Sequence, residues 1–302
     1  MRPPLSPPRI AAIGFSVQSP DGSVAGLEPA LRAHAALGTE AIEIAASSLD
    51  LVAAGRVLAR PLAELAALTR AYPFTYTVHG LVASNFMDPE TRERQLAAAL
   101  AMVEVCGAIG ARILVQHSGF VRADRAGDRA GAETRELEAL ATLGEAAVRR
   151  GVRVALENIF TVAEGEFRRT PSEVAGAVRA LNHPGIVALI DVSHAYIEAT
   201  HRGLDFRAEL RAMAPVAGHL HVHDSFGRRE GLTPFYFPAE RMALGLGDLH
   251  LPLGWGDIPW ESVAEDLAVL PGTVLMMEIG ARYRAEHGAC LDRAREIAAR
   301  IG

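Results

Sequence analysis

The chain has 302 residues, half of them hydrophobic and 22% charged, and a net charge of −6 with histidine neutral. That balance is globular, and it supplies no basic field to attract nucleic acid over distance, so nucleic acid is disfavoured as a partner. No apolar run approaches the roughly 20 residues that span a bilayer, so no membrane association is expected.

The first stretch, "MRPPLSPPR", is proline-rich and lacks the apolar centre of a signal peptide, so residues 1–8 read as a disordered lead-in to a cytoplasmic protein. From residue 9 to 302, short aliphatic runs alternate with longer Ala/Leu/Arg segments of helical period. The predicted strands are "IAAIGFSV", "EAIEIA", "FTYTVHG", "RILVQHS", "VRVALEN", "IVALIDVSH", "GHLHVHD" and "TVLMMEIG". The predicted helices fall near residues 25–37, 60–71, 89–108, 131–150, 170–181, 203–213, 259–269 and 285–301. Eight strands, each followed by a helix, predict a single-domain α/β fold, a (β/α)8 TIM barrel. An open doubly wound sheet is the competitor, but the Gly-rich turn it wants after an early strand is missing. Cys106 and Cys290 both fall in predicted helices and read as small buried hydrophobes in a reducing compartment.

Polar residues collect at one end of the strands. Strands three to eight end in His79, His117, Glu157, Asp191, His221 and Glu278. In a barrel these C-terminal ends form one ring, the face on which active sites are built. Buried carboxylates cost several kcal/mol each unless paired, and no Lys or Arg occupies a matching position. A divalent cation is the economical solution, and mixed His/Asp/Glu ligation suits Zn²⁺, Mn²⁺ or Fe²⁺ better than Ca²⁺. Three further candidates follow: His194, three residues after Asp191, and the D-x-H pair Asp248 and His250 in "GDLHLPLGWGD". Singly, each such histidine reads as an ordinary hydrogen-bonded group; the joint pattern points to a metal.

The stretch "GHLHVHDSFG" places His219, His221 and His223 at alternate positions of strand seven, which share one face of a strand. His219 lies deepest and reads as a packed or hydrogen-bonded group, while His223, nearest the mouth, is a candidate to touch substrate or the groups behind the ring. The irregular stretch from 224 to 258 is too long for an ordinary connection and predicts a functional loop. Phe235, Tyr236, Phe237 and Trp255 are candidates to close over a small substrate, and Arg228, Arg229 and Arg241 to meet its phosphate or carboxylate. The plain alternative packs those aromatics on the barrel rim or against a second copy in a homo-oligomer.

From "IGFSV" to "MEIG", these residues resemble the xylose isomerase-like barrels, which include endonuclease IV and many sugar isomerases and epimerases. Endonuclease IV holds three zinc ions. The resemblance implies one ion on His79, His117 and Glu157, a second on Glu157, Asp191, His221 and Glu278, and a third on His194, Asp248 and His250. The ketose epimerases of the group use one divalent metal on the set matching Glu157, Asp191, His221 and Glu278. There the two glutamates exchange the substrate proton, which makes Glu157 and Glu278 the implied catalytic pair. One to three ions per chain are therefore compatible with the resemblance.

The departures favour a small carbohydrate substrate. The segment after strand two, "AASSLDLVAAG", has neither basic nor aromatic residues until Arg56, where the endonuclease inserts such residues into DNA. "HGLVASNFMDP" follows strand three in place of the family's Tyr and Asn-Leu-Gly run, Ser193 replaces a family Cys, and Phe226 replaces a basic residue. The expected function is metal-assisted proton transfer in a sugar or sugar-phosphate isomerase or epimerase. The alternative is a trinuclear zinc phosphodiesterase.

Overall fold

A computed structural model describes residues 8–230 and 235–302. Eight parallel strands close into a barrel: β1 (Ile10–Val17), β2 (Ala41–Ala45), β3 (Thr75–His79), β4 (Ile113–His117), β5 (Arg153–Glu157), β6 (Ile186–Asp191), β7 (Ala217–Val222) and β8 (Thr273–Met277). Each strand pairs with its sequence neighbours, and β1 closes the ring on β8. The predicted TIM barrel is the observed fold. Its strands are buried on both faces, so β6, "IVALID", and β8, "TVLMM", are apolar nearly throughout and fully buried. Residues 1–7 of the proline-rich segment lie outside the described residues; Pro8 already accepts a hydrogen bond from the Gly272 N–H.

Ten α-helices lie among the described residues: α1 (Glu28–Leu37), α2 (Ala59–Arg70), α3 (Arg92–Ile109), α4 (Arg129–Val148), α5 (Pro171–Leu181), α6 (Val192–Arg202), α7 (Phe206–Met213), α8 (Pro238–Leu244), α9 (Trp260–Asp266) and α10 (His287–Ala298). No helix among the described residues is long and apolar enough to cross a membrane. Local sequence sets their ends. The start of α5 is a capping box, with Thr170 and Glu173 bonding each other's backbone and Pro171 in the first turn. The end of α1 is Gly38 at φ 75°, a left-handed position that glycine adopts without steric cost. Cys106 in α3 and Cys290 in α10 are both buried free thiols.

Two helices depart from the sequence reading. "IVALIDVSH" is not all strand: the chain turns helical at Val192, because the Asp191 carboxylate caps α6 by accepting from the His194 N–H at 2.7 Å. The predicted loop 224–258 contains the short helix α8, started by Pro238. Residues 231–234 of that loop lie outside the described residues.

Asp224 fastens this loop to the barrel mouth. Its backbone bridges to Leu251, and its fully buried carboxylate accepts from the Gly254 N–H at 2.7 Å, the Ser225 N–H at 3.0 Å and the Trp260 Nε1–H at 3.1 Å. Gly256 passes so close that an added Cβ would collide with the Ser225 carbonyl and the Asp224 carboxylate. D224A leaves three donors without their charged acceptor and lowers stability by about 2 kcal/mol; a urea-denaturation difference below about 0.5 kcal/mol contradicts the clasp.

Candidate metal centre

The ring is built from the strand ends. His79, His117, Glu157 and Asp191 are the last residues of β3, β4, β5 and β6; His221 is the penultimate residue of β7, and Glu278 follows β8. Strand register brings them level: His117 pairs with Glu157, and Asp191 with His221. His79, His117, Glu157 and Glu278 line a cavity of about 680 Å³ at the mouth, together with His194, Asp248 and His250, while Asp191 and His221 are fully buried.

Two sets of distances define the centre. His221 Nδ1 lies 3.6 Å from Glu157 Oε1, 3.6 Å from Glu278 Oε2 and 3.9 Å from Asp191 Oδ2. These separations are too long for hydrogen bonds and close to the ~3.3 Å edges of a coordination shell with metal–ligand bonds of about 2.0–2.1 Å. Around Glu157 Oε2, His79 Nε2 and His117 Nε2 stand at 3.5 and 3.4 Å, the geometry of a second group sharing that carboxylate. Glu157 Oε1 and Oε2, His221 Nδ1, His223 Nδ1 and Asp248 Oδ1 are buried without a hydrogen-bond partner among the described residues. Orphaned carboxylate and imidazole atoms aimed at one another are what a cation would satisfy, so the residues fit a divalent ion.

The third group is equally compact. Asp248 Oδ2 is 2.8 Å from His250 Nε2 and 3.2 Å from His194 Nε2. His250 is held at φ 47°, a left-handed conformation uncommon for a residue with a Cβ. The nine residues expected to ligate metal are thus gathered at one end of the barrel, where compact clusters join His79 with His117 and Glu157, His79 with His221 and Glu278, Asp191 with His194 and His223, and His223 with Asp248 and His250.

The substrate-contact candidates lie elsewhere. His223 is fully buried, with Nε2 3.1 Å from Asp191 Oδ2, and so cannot touch a substrate as placed. The strand ends at Val222, and the Asp224 backbone just beyond it pairs with Leu251. Tyr236 is 83% and Trp255 44% exposed, and neither they nor Phe235 line the cavity; Trp255 packs edge-on against Tyr283, and Phe235 sits under Arg241. Arg228 donates to the Leu244 carbonyl, and Arg229 pairs with Glu164. Of the expected anion contacts only Arg241 reaches the cavity, and it is paired with Glu230.

Glu43 escaped the sequence reading. It sits in mid-β2, fully buried, with Oε2 accepting from Thr77 Oγ1 at 2.8 Å and 2.9 Å from His219 Nε2, while Oε1 is 2.9 Å from His221 Nε2. A carboxylate behind an imidazole can fix its tautomer, and Glu43 stands in that place behind His221, whose Nδ1 faces Glu157 and Glu278. Its signal was a lone charge inside the apolar run "AIEIA". Asn158 was also missed: its amide bonds both the N–H and the C=O of Asp191, anchoring that residue's backbone.

The electrostatics follow from this crowding. Burial disfavours charge on His79, but Glu157, Glu278 and Glu43 outweigh it and raise its pKa to about 9. Burial likewise opposes the charge on His250, yet Asp248 and Glu278 raise it to about 10. His117 goes the other way, to about 3, because its desolvation exceeds the attraction of Glu157. Without a cation, His79 and His250 are therefore protonated at pH 7, and ligation must expel those protons. Cation binding is expected to release protons at pH 7 and to tighten as pH rises from 6 to 8. Calorimetric titrations in buffers of different ionisation enthalpy check this; a buffer-independent heat contradicts it.

Comparison with known proteins places the centre in context. The family model of the xylose isomerase-like TIM barrel matches residues 31–301. No curated protein matches the chain. Among solved structures, a D-tagatose 3-epimerase-like protein is 18% identical, with a TM-score of 0.73 over 95% of this chain and 98% of its own. The D-psicose 3-epimerase of Clostridium cellulolyticum H10, solved with D-tagatose, is 19% identical, with a TM-score of 0.70 over 95% and 99%. A xylose isomerase-like TIM barrel protein from Mycobacterium smegmatis, solved with magnesium, is 16% identical, with a TM-score of 0.67 over 96% of each chain. At these identities the likeness is one of fold.

Proposed function

The chain belongs to the xylose isomerase-like TIM-barrel family, and from that premise we propose that it is a divalent-cation-dependent sugar isomerase or epimerase. The observation that carries the reading is the convergence of Glu157, Asp191 and Glu278 on the single nitrogen His221 Nδ1, at 3.6–3.9 Å, beside an open cavity. Two of the carboxylates, Glu157 and Glu278, line that cavity and could reach a bound substrate. A Zn²⁺ or Mn²⁺ ion held by these four residues would polarise a substrate carbonyl and its neighbouring hydroxyl. One glutamate then takes the proton from the carbon between them and the other returns one, which inverts the centre. His117, neutral at pH 7, and Phe160 both line the cavity and would meet sugar hydroxyls and a sugar face.

Metal-depleted protein should leave a panel of ketohexoses and their phosphates unchanged, and protein reloaded with Mn²⁺ or Zn²⁺ should convert at least one to its epimer. The second reading, a phosphodiesterase, is favoured by one observation, the compact third group of His194, Asp248 and His250. Cleavage of an abasic-site duplex by the reloaded protein, with every sugar untouched, would replace the first reading by the second.

A further inference from the structure

Three imidazoles surround Asp248, and in each the far nitrogen is already occupied by an acceptor. His194 Nδ1 lies 3.2 Å from the Asn158 carbonyl, His250 Nδ1 lies 2.8 Å from the Glu278 carbonyl, and His223 Nε2 lies 3.1 Å from Asp191 Oδ2. A neutral imidazole that donates from one nitrogen presents a lone pair on the other. Once a cation displaces the protons that His194 Nε2 and His250 Nε2 otherwise share with Asp248, the atoms left to ligate are His194 Nε2, His250 Nε2 and His223 Nδ1. The first two stand 3.2 and 2.8 Å from Asp248 Oδ2, and the third stands 3.6 Å from Asp248 Oδ1. His223 Nδ1 and Asp248 Oδ1 are both buried without a hydrogen-bond partner among the described residues. His223 also stacks on His250, with ring centroids 4.2 Å apart and planes at 13°, which fixes its rotation.

We infer that His223 is a direct ligand of a cation at His194, Asp248 and His250, and that its addition closes this site with four protein ligands. Three ligands leave a position open for water or substrate; four tetrahedral protein ligands make a structural site. The ion therefore pins the strained His250 segment of the β7–β8 connection to β7 and the start of α6, and takes no part in turnover. His223 also ties this site to the ring, since its other nitrogen bonds Asp191. The inference concerns metal content and does not depend on the sugar chemistry.

The test is zinc content after dialysis of the full chain against a fixed zinc–chelator buffer. Wild type should retain one zinc more than H223A or H223N; Asn can still donate to Asp191 but offers no imidazole lone pair, and it answers the question should H223A not fold. H250A should lose the same ion, and H223A/H250A no more than either single variant. Changes behind a ligand already weaken metal sites about 10–100-fold, so loss of this ligand should weaken the site at least about 100-fold. Zinc should also raise the melting temperature of wild type more than that of H223N. The inference is overturned if H223A and H223N keep the wild-type zinc count while H250A loses an ion, or if H250A itself loses none.

Discussion

An E157Q variant should lose at least about 1,000-fold in turnover and should also lose its cations. Glu157 is the shared element of the centre: its two oxygens stand 3.2–3.6 Å from His79, His117, His194 and His221. Burial by itself would raise its pKa, but the surrounding histidines hold it well below the usual carboxylate range. It is thus an anion at neutral pH, as a ligand and proton acceptor must be. General acid–base groups typically contribute 10²- to 10⁴-fold, and an amide can do neither job. E278Q, at the more open side of the ring, should lose a similar factor in kcat while keeping a larger share of bound cation. Retention of turnover within tenfold by E157Q, with metal content unchanged, would remove Glu157 from the mechanism.

Removing the carboxylate of Glu43 should be the most costly single change to stability. E43A leaves His219, His221 and Thr77 facing an empty space in the fully buried barrel interior. Breaking a buried charged pair from one side costs about 3–5 kcal/mol. Because Glu43 stands behind His221, the same change should weaken cation binding by about 10- to 100-fold. Chemical denaturation of cation-free protein isolates the first effect, and cation titration of the folded variant isolates the second. A stability loss under about 1 kcal/mol with unaltered affinity would make Glu43 a bystander.

Much of this centre was readable in the sequence because barrel geometry converts strand ends into one place. His79, His117, Glu157, Asp191, His221 and Glu278 are far apart in the chain, yet each lies within one residue of the C-terminal end of a strand of the same parallel sheet. Glu43 was harder to assign because it lies mid-strand, where the ring argument does not look. Of the two roles expected of His223, the contact behind the ring is the one present, on Asp191; the substrate contact was suggested because alternation along "HLHVH" extends the strand past Val222, where the backbone already pairs with Leu251. The start of α6 was hidden for a related reason: Val192 continues a β-like run, and the cap is the same Asp191 that serves the ring. Phe235, Tyr236 and Trp255 show a further limit, since aromatic character marks a side chain that can cover a site without saying which way it points.

Incubation of the Mn²⁺- or Zn²⁺-loaded protein with ketohexoses in D2O, followed by NMR, tests the central claim most directly. Proton transfer at the carbon beside the carbonyl should place one solvent deuterium there as the epimer or isomer forms, and E157Q should abolish both signals. No deuterium in any ketose, aldose or sugar phosphate, together with cleavage of an abasic-site duplex by the same preparation, would contradict it.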